Sequence, residues 1–395
     1  MILALATILT VVVGLPPGDS LLRPDLAADP EEGPAVIVRH RPAQPLVAVR
    51  LSVPARAPAG AVSLLQELAR APFETGAAAL GARATLARTP THAIYSVVGP
   101  AEVYPEMVAL LRRAVGPPDL SGVRLVPARH AADRALAAER DTPEPLVRHR
   151  LRQVLLPELP RAGAAATLTA GDVTRVWRRF FIPERMTAVV VGPMPPEEAL
   201  APFRGWQRPP EPSGVRRPPV AASADPAPQV VRPWIGLAYR TRAEPAVLAV
   251  TAALLARHLS LLALRSCTAE FWWNGERRAL VIIASAEPPA EAAADSAAAA
   301  IPLAERLRAG LAEVAAALTP ASVAIARRGL MHDMFVAART PQGLAELIGD
   351  FHDRTGAADG AQEFLSDLVR VDARDVHRVL VSLDEVAPVV VEVRP

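Results

Sequence analysis

Lysine is missing from this chain of 395 residues: its 43 strong bases are all arginine, set against 41 acids, for a formal charge of +2. Aromatic residues make up only 4%, and the arginines are scattered. A nucleic-acid surface needs clustered bases with interleaved aromatics, so that partner is excluded. Cysteine occurs once, as Cys267, which leaves no internal disulfide and no cysteine-based zinc site. Lying between the apolar runs 261–264 and 271–273, it reads as a small core residue. Long hydrophobic runs are lacking too. The one at the N-terminus, 2–15, ends at Pro16-Pro17-Gly18 and falls short of the roughly 20 residues that a membrane-spanning helix takes. It has the length of a signal-peptide core, although no arginine precedes it. The expectation is a signal peptide over 1–20 and export to the periplasm or beyond. A plain N-terminal extension on a cytoplasmic chain is the alternative.

What is present is a repeat. The run from Leu168-Thr169 through Asp172-Val173-Thr174-Arg175-Val176 to Val189-Val190-Val191 returns about 200 positions later, from Val371 through Asp375-Val376-His377-Arg378-Val379 to Val389-Val390-Val391. Each copy reads as a capped helix leading into a short β-branched strand. A period near half the chain means a duplicated domain rather than a solenoid. With 51% apolar residues, each half has enough to bury its own core.

The period-2 alternation of Val47, Val49, Leu51 and Val53 predicts a strand over 46–53. Further strands are expected at 36–38, 92–98 and 187–191. Helices are expected at 61–68, 105–115, 127–140, 143–155 and 170–181. Residues 207–232 hold seven prolines, from Pro209 to Pro228, a density that favours extended chain, and they read as the linker. The resulting domains are 30–206 and 233–395. The second half replays the first, with strands at 234–239, 279–286 and 389–393. Its helices fall at 247–264, 290–318, 321–337, near Gly343 and at 373–381. The fold class is α+β: two tandem similar domains, each a mainly antiparallel or mixed sheet with helices packed on one face.

Leu168-Thr169-Ala170-Gly171-Asp172, followed by Phe180-Phe181-Ile182-Pro183-Glu184-Arg185-Met186 and Val189-Val190-Val191-Gly192, resembles a segment of the M16 metallopeptidase family. That is the insulinase, pitrilysin and mitochondrial-processing-peptidase group. Leu80-Gly81-Ala82, Thr91-His92-Ala93-Ile94-Tyr95-Ser96, Pro100-Ala101-Glu102 and Thr340-Pro341-Gln342-Gly343 extend the resemblance over about residues 30 to 395. It implies a two-domain chain that pairs with another around a closed chamber, in which one chain holds catalytic zinc.

Active members carry His-x-x-Glu-His on the first long helix. Two histidines at i and i+4 share a helix face and bind Zn²⁺, while the glutamate acts as general base on the bound water. Aligned on Gly60 and Leu64-Leu65, the resemblance puts Ser63 and Glu67 at the histidine positions and Gln66 at the base. A hydroxyl binds zinc poorly, and an amide cannot take a proton from water. On the later helix, Arg134 and Ala135 stand where the family has two glutamates, and a guanidinium opposes a cation. No histidine pair occurs at i, i+4 among the eight, and His130 with Asp133 or His332 with Asp333 reads as exposed helix surface. The expectation is no catalytic residue, no metal and no cofactor. The family's substrate-holding Arg and Tyr fall at Arg265 and Trp272. They read equally as substrate contacts or as a helix-capping arginine beside core aromatics.

The function expected is a non-catalytic subunit that pairs with a zinc-binding M16 sister chain and holds peptide. A stand-alone scaffold or peptide-binding module, homodimers included, is the second reading. A peptidase with an unrecognised site is the third.

Overall fold

The computed structural model of the chain describes residues 21–29, 33–55, 57–156, 165–210, 232–260, 266–285 and 296–394. The expected signal peptide, nearly all of the expected linker, and Arg265 lie outside the described residues.

In chain order the first half runs β1 (Leu26–Ala28), β2 (Ala35–His40), β3 (Leu46–Pro54), α1 (Ala59–Ala79), β4 (Arg83–Arg88), β5 (His92–Pro100) and α2 (Tyr104–Ala114). It continues with α3 (Gly122–Asp141), α4 (Pro143–Leu155), α5 (Ala170–Phe180), β6 (Thr187–Gly192) and α6 (Pro196–Leu200). The second half runs β7 (Trp234–Thr241), α7 (Pro245–Leu259), β8 (Ser266–Asn274), β9 (Arg277–Ser285), α8 (Ser296–Ala316) and α9 (Pro320–Ala337). It ends with α10 (Pro341–Thr355), α11 (Gly360–Arg370), α12 (Ala373–Asp384) and β10 (Val389–Val393). Among the described residues no single helix is long and apolar enough to cross a membrane.

The strands form two sheets, ordered β1-β2-β6-β3-β5-β4 and β10-β7-β9-β8. The second order repeats the last four strands of the first, position for position. Only β2–β6 is parallel; the other pairs are antiparallel. The sequence repeat is therefore a repeat of topology, and its two copies share a local cause. Thr169 and Asp172 close a capping box at the start of α5, and Asp372 and Asp375 close one at the start of α12. In each, two orphan amides at the helix start gain side-chain acceptors.

Each half lays its own helices on one face of its sheet. Val47, Val49, Leu51 and Val53 of β3, with Val36 and Val38 of β2, pack against Leu64, Leu68 and Phe73 of α1 and Met107 and Leu111 of α2. The opposite face receives one helix from the other half. α10 lies across β3 and β6, while α4 lies across β7, β9 and β10. The two exchanged helices hold equivalent places in the repeat. Leu146, Val147, Leu151 and Leu155 of α4 are buried against Ala238, Val281, Ile283 and Val393, and burial of each such leucine or valine is worth about 1.5–3 kcal/mol. Close seating needs a residue with no side chain on the strand below. A Cβ at Gly236 would meet Val147 Cγ1 at 2.5 Å and Leu151 Cδ1 at 2.6 Å.

Five elements lie outside the sequence expectation: β1, β4, α6, β8 and α11. α1 is also longer than the 61–68 expected, and α7 ends at Leu259 rather than running on to 264.

Candidate functional site

α1 packs beside β4 and crosses α3, so the residues at its family-motif positions are held rigidly. Ser63 and Gln66 are both buried. The Gln66 amide donates from Nε2 to the carbonyl of Ala87 on β4 at 2.7 Å and to that of Ile94 on β5 at 3.4 Å. These two carbonyls belong to directly opposed residues of the β4–β5 pair, so the side chain staples helix to hairpin. Glu67 turns along the helix instead, and both its oxygens accept from Arg70, at 2.8 and 3.0 Å. Arg70 in turn reaches Glu74 at 3.2 Å.

Nothing in this set suits a divalent cation. Zinc prefers imidazole, thiolate or carboxylate donors, whereas here a neutral hydroxyl stands beside an amide that presents its N–H groups, and the one carboxylate is neutralised by arginine. On α3 the buried side is Leu125, Ala128, Ala132 and Leu136, and Arg134 and Ala135 are exposed. They supply no ligand. Among the described residues no group of three or more histidine, cysteine or acidic side chains is placed to hold a metal ion. His130 and His332 are exposed, as the sequence suggested, and Asp133 accepts from the amide of Ala165 at 2.7 Å.

Trp272 lies on β8, where neighbouring side chains point to opposite faces. Phe271 enters the core beside Phe364, ring centroids 6.3 Å apart. Trp272 faces α4 instead, with the guanidinium of Arg152 5.1 Å from its ring centroid. Glu270, on the same face, holds Arg148 of α4 in an ion pair. The two aromatics thus serve different faces rather than one core.

Sequence reasoning missed a buried polar cluster where α10 meets the first sheet. Arg50 on β3 is 1% exposed. Its Nη2 donates to Asp350 Oδ1 at 2.7 Å and to Asp353 Oδ2 at 2.9 Å, and its Nη1 donates to Ser52 Oγ. Ser52 donates to Asp353 at 3.1 Å, and His92 Nε2 lies 3.8 Å from the other oxygen of Asp353. Serine, histidine and aspartate meet here, but in the wrong order for nucleophilic catalysis. The acid stands between hydroxyl and imidazole, whereas a nucleophile needs the imidazole as its direct base. Gly349 makes room for the cluster, since a Cβ there would meet Arg50 Nη1 at 2.2 Å. Asp350 is pushed above its ordinary pKa by burial, against the pull of Arg50. His352 is held below its ordinary value, first by burial.

No family model and no curated protein matches the sequence. Solved structures do match, over nearly the whole chain. A protease from Helicobacter pylori superposes with a TM-score of 0.77 at 13% identity, covering 94% of this chain and 100% of the other. A peptidase M16 inactive domain from Pseudomonas fluorescens gives 0.73 at 14%, covering 93% and 97%. A chain of complex III2 from Candida albicans gives 0.71 at 13%, covering 93% and 95%. With its duplicated sheet order, capped helix–strand repeat and crossed helices, the chain has the fold of the M16 peptidases.

Proposed function

We propose that this chain is a non-catalytic M16-type subunit that pairs with a zinc-binding sister chain and helps to enclose peptide substrates. The observation that carries the reading is the commitment of Gln66: where a general base would stand, a buried amide is spent on two carbonyls of the β4–β5 hairpin. The likeness to an M16 inactive domain supports it. Peptide holding has a physical basis in β4, which among the described residues pairs with β5 alone and leaves its other edge without a strand beside α1. An extended peptide can add to such an edge through main-chain hydrogen bonds, and Arg83 and Arg88 at its ends discourage indiscriminate pairing.

The test is co-expression with a chain that carries intact His-x-x-Glu-His on the matching helix. The expected result is a one-to-one complex that cleaves peptides only when both chains are present, with zinc on the sister alone. Two monomers at micromolar concentration would refute it. A stand-alone scaffold is the second reading, favoured by the likeness to a chain of complex III2; stable homodimers with no response to a sister chain would select it.

A further inference from the structure

The outer face of each sheet is covered by a helix from the other half. α4 of the first half lies across β7, β9 and β10, and α10 of the second lies across β3 and β6. Each helix also touches its own half, α4 through α3 and α10 through α9 and α11. The joint therefore has two parts, and each part needs both halves.

The surfaces that meet are apolar. Ile37, Ala48, Val189 and Val191 of the first sheet share a core with Leu344 and Ile348 of α10, none of them more than 2% exposed. The leucines and the valine of α4 are buried likewise against the second sheet. Polar ties cross at both places. Arg50 of β3 holds Asp350 and Asp353 of α10, and Arg148 of α4 holds Glu270 of β8. Arg240 of β7 donates to the carbonyl of Val154 at 3.1 Å. Contacts between domains of one chain are usually more polar, like those of transient complexes. Obligate interfaces resemble a core cut in half, and this joint is of that second kind.

We infer that the joint, and not the covalent link, holds this protein together: the chain is a fused pair of mutually obligate half-molecules. A copy cut between its halves remains one folded particle. The partner that each half fits is the complementary half, from its own copy or from a second one. A half set free would expose the outer face of its sheet together with an apolar helix, so separation and unfolding are one event. The link supplies effective concentration, about millimolar for a short flexible tether. None of this depends on a sister chain.

The experiment inserts the recognition sequence of a site-specific protease after Ser213 of the full chain. The protein is cut while folded, and a denaturing gel confirms two pieces. At about 1 μM the cut protein should elute as one particle with unchanged circular dichroism, as obligate pairs do. On dilution by about 100-fold its melting temperature should fall while that of the uncut chain stays, because only the cut form gains particles on unfolding. Gly236→Val, whose Cβ would meet Val147 and Leu151 within 2.6 Å, should separate the cut halves and lower their circular dichroism in step. Arg50→Met acts at the other crossing and serves should Gly236→Val fail to fold. It should weaken association of the cut halves by about 100-fold or more. Cut pieces of the otherwise unchanged chain that separate at the higher concentration overturn the inference. So does melting of the cut form that ignores dilution, or association that neither variant alters.

Discussion

Replacing Arg50 by methionine tests how the two halves are joined. The Arg50 side chain is 2% exposed and that of Asp353 is 8%, while Asp350 is 48% exposed. Removing the guanidinium therefore leaves Asp353 as a charge in a dry place, with Ser52 as its hydrogen-bond donor and His92 3.8 Å away among the described residues, whereas Asp350 can turn to water. Breaking a buried pair from one side costs about 3–5 kcal/mol; the half-exposed contact is worth about 0–1 kcal/mol. The Arg50→Met variant should thus lose about 3–5 kcal/mol in urea unfolding with little change in slope. Adding Asp353→Leu to it should recover most of that loss, because apolar replacement of both partners is often neutral. In double-mutant cycles the coupling of Arg50 to Asp353 should exceed its coupling to Asp350. A loss under about 1 kcal/mol for Arg50→Met, or the reverse ranking of the two couplings, would show that the cluster is incidental to the joint.

Three further outcomes follow from the same geometry. Gln66→Ala should destabilise by about 1–3 kcal/mol, because the bonded carbonyls lose their side-chain donor; Gln66→Glu should be at least as costly, and both are read by urea unfolding. For His352, the folded chain resists protonation below the ordinary histidine pKa of about 6.5 while the unfolded chain does not. Its contribution is present above that value and is lost as pH falls through the window beneath it, so His352→Asn should flatten the slope of melting temperature against pH there. Burial pushes the Cys267 thiol up to about 11, so iodoacetamide should label it at pH 8 roughly 100-fold more slowly than free cysteine, and at the ordinary rate after denaturation.

Much of this architecture could be read from residues that speak locally. Thr169 with Asp172, and Asp372 ahead of Asp375, announce helix starts, and the valine triplets announce the strands beyond. The alternation of Val47, Val49, Leu51 and Val53 marks one face of β3 as core. The other face gave no such sign. Ala48, Arg50 and Ser52 look like a solvent side, yet all three are buried because α10, some 300 residues on, covers them. No local pattern carries that information; small residues flanking a lone arginine were the available hint. β4 escaped because Arg83-Ala84-Thr85-Leu86-Ala87-Arg88 has little intrinsic strand preference and owes its conformation to pairing with β5. β8 escaped because adjacent Trp272 and Trp273 blur the alternation that Cys267, Ala269, Phe271 and Trp273 would otherwise display. At the candidate site, the residue types at positions 63, 66 and 67 were legible in order. What Gln66 and Glu67 do instead of chemistry required the hairpin and Arg70 to be in place.

The crossing of α4 and α10 has a mechanical consequence. Pulling the halves apart would strip the outer faces of both sheets at once and strand Arg50 away from its acids, so neither half can swing while staying folded. A single chain of this kind is a stiff shell. If an enclosure built from it must open to admit a peptide, the give has to come from the seam between one molecule and its neighbour.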